Sequence, residues 1–211
     1  KSDIKTVMGC LKRSKRPVII AGRGVRLAKA RQLLSEFSTR YQIPVVTPYL
    51  GVDNISHNEI THIGTTGIKG DRAANLAMQN SDLIIAIGTS LHVSVIGYNY
   101  AQFARAARKI VVDIDLSSHL KKTIKIDHLI RSDAAVFLSS LVNLEGTQNL
   151  VSSRCSQWLD LCVRWKSRYP VCLPEYKEDS KYINIYSFID KISALSQEGD
   201  GFVSDAGSAI Y

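Results

Sequence analysis

The chain has 211 residues, of which 45% are hydrophobic and 22% are charged, as is ordinary for a globular protein with one good core and part of another. No apolar run reaches the ~18 residues that a membrane-spanning helix needs, and no signal-peptide pattern opens the sequence, so we expect no membrane partner. The formal net charge is +8. Because neither interleaved aromatic residues nor a nucleic-acid motif accompanies the basic groups, we expect no nucleic-acid partner and interpret them as a solvated face or linker.

The four cysteines do not form a metal-binding pattern. None belongs to a C-x-x-C pair, and no histidine lies near them at zinc-ligand spacing, so the sequence predicts no metal site. They are interpreted as reduced thiols of a cytoplasmic protein: Cys10, Cys155, Cys162 and Cys172. Lys1 is not a natural start, so we expect the chain to be a fragment of a longer protein.

The first part of the chain has the pattern strand, helix, strand. Residues 3–12 are expected to form a short connecting helix, and the apolar residues 17–21 a buried strand that ends in the turn Gly22-Arg23-Gly24. Apolar residues then recur at helical spacing over 27–41, and 43–47 is the next strand. This order indicates a right-handed parallel unit.

The middle of the chain continues this alternation. Residues 49–66 are polar and are expected to form a loop, and a helix is expected to begin near Asp71, which can act as its N-cap. Residues 83–87 are apolar throughout, as is typical of strands covered on both faces. Residues 109–114 are expected to form another buried strand, and 127–130 is a candidate edge strand.

The last part of the chain is expected to be mostly helical. Asp133 is expected to cap a helix that runs to residue 144, and 155–169 is the next helix. Residues 170–180 have the composition of a linker, and 182–196 is a further helix. A strand is then expected over 202–205, as the beginning of a second α/β domain.

Together these elements predict an α/β fold with a Rossmann-like, doubly wound parallel sheet of about six strands and helices on both faces. We expect an N-terminal connector over 1–16 and the Rossmann-like domain over 17–146. A helical linker is expected over 147–181, and the start of a truncated second domain over 182–211.

Glycine turns are the candidate ligand-binding features. Gly22-Arg23-Gly24 follows a strand and precedes a helix, where backbone N–H groups can bind phosphate, but the third glycine of the dinucleotide fingerprint is absent. The loop from Gly64 to Gly70 is not a phosphate-binding Walker loop, since Lys69 precedes its last glycine. For both loops, a ligand site and a purely structural turn remain open.

The candidate polar residues do not form a catalytic set. Asp113 and Asp115 follow a buried strand, where a carboxylate can bind ribose hydroxyls or cap the turn at Ser117 and Ser118. The histidines are scattered along the sequence, and each is interpreted as structural or surface-exposed. The sequence therefore predicts no catalytic residue in this chain.

The ordered combination of these pieces resembles the central domain of thiamine-diphosphate-dependent enzymes, and most of all that of acetolactate synthase large subunits. The stretches that carry the resemblance are 17–24, 43–47, 67–70 with Ala74, Asn75 and Ala77, 81–88, and 109–115. The resemblance covers roughly residues 17–144, and 202–208 is similar to the first strand and turn of the family's diphosphate-binding domain.

The resemblance implies an enzyme that condenses or decarboxylates 2-keto acids such as pyruvate, as a homo-oligomer with thiamine diphosphate and Mg²⁺. The family's activating glutamate and its magnesium ligands would lie outside this chain, which would therefore not catalyse alone. One edge of the thiamine diphosphate site would lie near Ala206, Gly207 and Ser208.

In acetolactate synthases the central domain binds FAD, whereas related decarboxylases bind ADP there or no ligand. The cofactor-contacting positions correspond to Gly22, Gly24, Thr47, Ile68, Lys69, Gly88, Asp113, Ile114 and Asp133. Residues 90–94 depart from the family, because Ser90-Leu91-His92-Val93-Ser94 replaces a stretch with two arginines and two acids and so removes guanidinium donors for phosphate. A non-catalytic module that binds FAD, NAD or ADP is the alternative.

Overall fold

A computed structural model describes residues 2–144, 148–178, 181–197 and 199–203. Its six strands form one sheet in which every pair of neighbours is parallel, with the order β3-β2-β1-β4-β5-β6. The strands are β1 Pro17–Ala21, β2 Val45–Thr47, β3 His62–Thr65, β4 Leu83–Ile87, β5 Arg108–Asp113 and β6 His128–Arg131. The predicted doubly wound parallel sheet is confirmed.

Eight α-helices accompany the sheet within the described residues. They are α1 Ser2–Arg13, α2 Arg23–Leu27, α3 Arg31–Tyr41, α4 Arg72–Asn80, α5 Val93–Ile96, α6 Ala134–Val142, α7 Gln148–Arg168 and α8 Ile185–Leu195. Short 3-10 turns lie at Tyr49–Gly51, Tyr100–Gln102, Ser117–His119 and Pro174–Lys177. No helix in the described part of the chain combines the length and the apolar character that crossing a membrane requires.

The core lies on both faces of the sheet, and this explains why the central strands are apolar at every position. On β1, Ile19 and Ala21 pack with buried residues of α1, α3 and α6, whereas Val18 and Ile20 pack with buried residues of α4 and α7. All five residues of β1 and of β4 are buried. Burial of continuous apolar strands between two helical layers is the main stabilising contribution of this fold.

The chain divides into two compact units, residues 1–168 and 169–211. The first contains the sheet, and helices α1 and α7 contribute buried side chains such as Leu11 and Trp158 to its core. The second contains α8, in which Asp190 forms an ion pair at 2.7 Å with Lys177 of the turn Pro174–Lys177. The expected connector, 1–16, thus contains the long helix α1, and the expected linker, 147–181, contains the long helix α7. The predicted domain boundaries stay predictions.

The helix expected over 27–41 is present as α3, but it begins later than expected, at Arg31, because the separate short helix α2 ends at Leu27. Lys29 adopts the left-handed conformation with φ 54°, and this ends α2 before α3 begins at Arg31. Leu27 is consequently 67% exposed, although its spacing had placed it on the buried face. Helix α7 also begins earlier than expected, at Gln148 rather than at residue 155.

Strand β3 lies within the segment expected to be a loop. Only Ile63 of its four residues is strongly apolar, and an edge strand needs less apolar sequence than a central one. At the other end of the chain, Phe202 and Val203 form no strand, contrary to the sequence-based expectation, and the remainder of that predicted strand lies outside the described residues.

The two predicted N-caps differ in outcome. Asp133 is confirmed as the cap of α6, since its Oδ1 accepts hydrogen bonds from the backbone N–H groups of Ala135 at 2.8 Å and Val136 at 3.2 Å. Asp71 precedes α4 but makes no side-chain cap. Its Oδ2 instead accepts a hydrogen bond from the backbone N–H of Thr65 at 2.7 Å and so joins the end of β3 to α4.

Candidate functional site

Nine of the predicted ligand-binding residues fall on one edge of the sheet, which we call the carboxyl edge because all six strands end there. Each lies at the end of a strand or in the segment that follows it: Gly22, Gly24, Thr47, Ile68, Lys69, Gly88, Asp113, Ile114 and Asp133. Strand order reverses between β1 and β4, and ligands of doubly wound sheets bind outside such switch points. Ala206, Gly207 and Ser208 lie outside the described residues.

The glycine turns after β1 and β4 contact each other at the switch point. The backbone N–H of Gly24 donates to the carbonyl of Gly88, and that of Gly22 to the carbonyl of Ile87, both at 2.9 Å. A Cβ atom on Gly24 would lie 2.6 Å from the Cα of Gly88, which itself has φ +57°. Close backbone packing therefore accounts for these glycines, and two N–H groups of the turn are already used.

The segment after β3 is fixed by Asn75 of α4. The Asn75 side chain accepts from the backbone N–H of Gly67 at 2.9 Å and donates to the carbonyl of Gly67 at 2.8 Å. The backbone N–H of Ile68 donates to the carbonyl of Ser94 at 2.8 Å, which joins this segment to α5. The Ile68 side chain remains exposed beside Lys69 at the carboxyl edge.

Two buried polar side chains at this edge have an oxygen without a hydrogen-bond partner among the described residues. Thr47, at the end of β2, is fully buried, and its Oγ1 is unpartnered. Asn54 donates from Nδ2 to the carbonyls of Ala21 at 3.0 Å and Gly22 at 2.7 Å, while its Oδ1 is unpartnered. Sequence reasoning missed Asn54, since its only signal is a position shortly after Gly51 in a polar loop.

Asp113 at the end of β5 is held by two donors. Its Oδ1 accepts from the backbone N–H of Asp115 at 3.0 Å, and its Oδ2 lies 3.2 Å from Nε2 of His119, whose side chain is 1% exposed. Burial acts to raise the pKa of Asp113, but the hydrogen bonds from His119 and from backbone N–H groups outweigh it, so this pKa is lowered. The carboxylate is therefore ionised and orientated, and His119 is a residue that sequence reasoning did not assign to the site.

Asp115 performs the capping role that remained open from the sequence. Its Oδ1 accepts from the Ser117 hydroxyl at 2.6 Å and from the Ser117 backbone N–H at 2.9 Å, at the start of the turn Ser117–His119. These hydrogen bonds lower the pKa of Asp115. Asp133 likewise uses one carboxylate oxygen for the cap of α6, so neither acid is wholly available to a ligand.

Residues 90–94, which follow β4 closely, offer no guanidinium group. His92 accepts the backbone N–H of Ser94 at 3.3 Å through Nδ1 and thereby caps the short helix α5. A diphosphate would therefore find neither an arginine in residues 90–94 nor a free N–H at Gly22 or Gly24. The ionised Asp113 and the Thr47 and Asn54 oxygens suit hydroxyl and ring N–H groups better than phosphate.

Exposed apolar side chains occur in the segments that come directly after β2, β3 and β5. They are Tyr49, Leu50, Val52, Ile68 and Ile114. Exposed apolar side chains beside a candidate site are typical of a surface that contacts a ligand or another part of a protein. Within the described ranges, no three His, Cys, Asp or Glu side chains are grouped so that they could hold a metal ion.

Comparison with known proteins places this architecture in a family. Residues 4–141 match the family described as thiamine pyrophosphate enzyme, central domain. The chain is 31% identical to the acetolactate synthase large subunit of Cyanidium caldarium over 196 residues, which are 92% of this chain and 32% of the relative. It is 32% identical to the acetolactate synthase large subunit of Lactococcus lactis over 194 residues, again 92% of this chain and 32% of the relative.

A relative with a different name matches the same region. The 3D-(3,5/4)-trihydroxycyclohexane-1,2-dione hydrolase of Clostridium botulinum is 26% identical over 193 residues, which are 88% of this chain and 28% of that protein. The chain spans about a third of the length of the curated relatives that it matches, 32% for two of them. Because the family match covers more than half of the chain and agrees with the six-stranded parallel sheet, this protein belongs to the thiamine pyrophosphate enzyme family and contains its central domain.

Proposed function

We propose that this chain provides the central domain of a thiamine-diphosphate-dependent enzyme that condenses or decarboxylates 2-keto acids such as pyruvate, in the manner of acetolactate synthase. The observation that carries the proposal is the match of residues 4–141 to the family's central domain. Relatives named acetolactate synthase, aligned over 92% of the chain, support the choice within the family. A homo-oligomer and a cytoplasmic location stay predictions.

In this proposal the chain positions the active site rather than performing the chemistry. Thiamine diphosphate, held with Mg²⁺, would supply the carbanion chemistry that acts on 2-keto acids. Ala206, Gly207 and Ser208 are proposed to contact that cofactor. We expect the 211-residue chain alone to show no turnover, and we assign the activating glutamate and the magnesium ligands to other parts of the enzyme.

We further propose that the carboxyl edge of the sheet binds a nucleotide, either FAD or ADP. Asp113 is ionised and fixed by His119, so it can accept hydrogen bonds from ribose hydroxyls, and the exposed Ile114 beside it can cover a flat ring. Thr47 and Asn54 offer buried oxygens. Residues 90–94 contain no arginine and the N–H groups of Gly22 and Gly24 are already hydrogen-bonded, so most of the binding free energy is expected from the nucleoside part.

A thiamine-dependence assay tests the catalytic proposal. The protein in its full length is incubated with pyruvate and Mg²⁺, with and without thiamine diphosphate, and acetolactate and CO₂ are measured. Turnover that requires thiamine diphosphate is the expected result. Absence of thiamine-dependent turnover with pyruvate and with other 2-keto acids would refute the proposal.

A non-catalytic nucleotide-binding module is the second candidate, and the switch point of a six-stranded Rossmann-like sheet favours it. Titration with ADP and with FAD separates the two candidates when combined with the assay above. Nucleotide binding together with thiamine-dependent turnover supports the enzyme. Nucleotide binding without any turnover by the full-length protein supports the module.

A further inference from the structure

A concave region lies on the edge of the sheet opposite the carboxyl edge. We call this the amino edge because the strands begin there. The region is a groove of about 560 Å³ where β5 begins, between the segment that contains the turn Tyr100–Gln102 and the segment before β6. Ligand sites in proteins commonly have volumes of about 300–1,000 Å³, so the groove has the size of a small-molecule site. None of the residues discussed at the carboxyl edge lines it.

The groove is strongly basic. Four of its lining residues are cationic, Arg105, Arg108, Lys109 and Lys125, and a single one, Asp127, is acidic. The Asp127 carboxylate already has protein partners, because its Oδ2 accepts the backbone N–H of Lys109 at 2.9 Å and its Oδ1 lies 3.5 Å from Nζ of Lys125. The cations therefore exceed the available negative charge around this concavity.

The arginines of the groove are poorly paired. Arg105 makes one long hydrogen bond, from Nη1 to Oε1 of Gln102 at 3.4 Å, and this partner is neutral. The exposed guanidinium of Arg108 has neither a hydrogen bond nor an ion pair with any residue that the structure describes. Guanidinium groups bind phosphate through paired N–H donors, and two of them beside one concavity form a donor set for a polyanion.

Lys109 adds a buried cation to this set. It is 8% exposed, and its Nζ donates to the carbonyls of Ala104 and Ala107, each at 3.0 Å. Burial lowers the pKa of Lys109, against an opposing influence of Asp127. Neutral carbonyls satisfy its hydrogen bonds without neutralising its charge, so an anion in the groove would offset the cost of burying this ammonium.

From the groove, its excess of cations and the buried Lys109, we propose that the amino edge binds a small molecule with a di- or triphosphate chain. The phosphates would contact Arg105, Arg108 and Lys125, and Tyr100 in the groove wall offers an aromatic ring to an attached base. This site is independent of the nucleotide proposed at the carboxyl edge. It also gives a role to part of the net charge of +8, which the sequence placed on a solvated face.

Calorimetric titration of the full-length protein with inorganic triphosphate and with ATP tests the proposal. The double variant Arg105→Gln/Arg108→Gln is compared with Arg131→Gln/Arg164→Gln, which removes the same charge from exposed positions outside the groove. We expect the groove variant to weaken triphosphate binding at least tenfold, since charge-assisted hydrogen bonds are lost, and the control to weaken it less than twofold. ATP binding that is tighter than triphosphate binding and that the groove variant weakens would assign the base to the groove. Equal affinities that the groove variant weakens would assign recognition to the phosphates, and both results support the site.

Three outcomes would overturn it. A small-molecule site at this groove would be contradicted if neither triphosphate nor ATP bound at millimolar concentration. It would also be contradicted if both double variants weakened triphosphate binding equally, or if only oligonucleotides bound. Thermal unfolding of every variant accompanies the titration. Should the double variant unfold, the single variant Lys125→Gln, which changes a side chain that is 86% exposed, is compared with the single control Arg164→Gln, and weaker triphosphate binding in Lys125→Gln alone supports the site.

Discussion

Protonation of His62 is expected to destabilise the fold at mildly acidic pH. His62 opens β3, its imidazole is buried, and its Nδ1 has no partner among the described residues. The Nζ of Lys166 donates to the carbonyls of His57 at 3.1 Å and of His62 at 2.9 Å, and the two imidazole rings lie 5.3 Å apart. Burial first, and then the charges of Lys166 and His57, lower the pKa of His62 from 6.5 to about 4.

The sign and the size of the effect follow from this pKa. The folded protein holds His62 neutral, whereas the unfolded chain protonates it below 6.5, so stability is fully present above pH 6.5 and is lost as the pH falls toward 4. Each pKa unit corresponds to about 1.36 kcal/mol, and the shift from 6.5 to about 4 corresponds to at most about 3 kcal/mol. Burial raises the pKa of Asp71, so the folded protein binds a proton at this carboxyl more readily than the unfolded chain does. As the pH falls, this proton binding opposes in part the loss of stability that His62 causes.

Urea unfolding between pH 7 and pH 4.5, followed by circular dichroism, measures the effect. The variant His62→Gln cannot be protonated, so the pH-dependent loss of unfolding free energy should be smaller in it by 1–3 kcal/mol, of the order of the pKa shift. His92→Gln, which changes an exposed histidine, should retain the wild-type loss. Equal losses in wild type and His62→Gln would refute the assignment of this pH dependence to His62.

Three further substitutions test individual contacts by urea unfolding at pH 7. Gly88→Ala should cost about 2 kcal/mol, because its φ is +57° and the added Cβ would lie 2.7 Å from the Cα of Gly24, and a cost of less than about 0.5 kcal/mol would contradict the packing argument. Asp133→Ala should cost about 1 kcal/mol through loss of the α6 cap, and Asp133→Asn should cost markedly less, so equal costs for the two would speak against a cap. Asp82→Ala should lower the free energy of unfolding by about 2 kcal/mol, because the Asp82 carboxylate accepts hydrogen bonds from the Ser14 hydroxyl and from the backbone N–H groups of Lys15 and Arg16. A decrease of less than about 0.5 kcal/mol would mean that this carboxylate does not stabilise the turn between α1 and β1.

The strands that the sequence predicted well are those whose burial is complete. Residues 17–21 and 83–87 are apolar throughout because helices cover both faces of the sheet, and the apolar residues 110–112 in the middle of β5 are buried in the same way. This signal is local. Strand β3 gave no such signal, since an edge strand is held largely by backbone hydrogen bonds to β2. The break at Lys29 was likewise invisible, because spacing reports periodicity but not a left-handed residue between two helices.

The glycine turns show how a sequence signal can be correct and still leave its cause open. Gly22 and Gly24 had two equally acceptable explanations, a ligand or a tight turn. The structure shows mutual backbone packing with N–H groups already used, which no spacing along the chain reveals. His119 was missed for the related reason that burial beside Asp113, and not residue type, makes it part of the site.

By itself, the sequence determined the parallel α/β class, the succession of its main elements and the resemblance to the family, because buried strands and turn residues have local patterns. The tertiary structure alone decided which polar groups meet at the carboxyl edge, which of them are already hydrogen-bonded, and that basic residues form a groove at the amino edge. Arg108 and Lys125 are distant in sequence, and the parallel pairing of β5 with β6 brings the segments that carry them to one edge. Electrostatic and hydrogen-bonding partners depend on distance in space, which a single sequence does not contain.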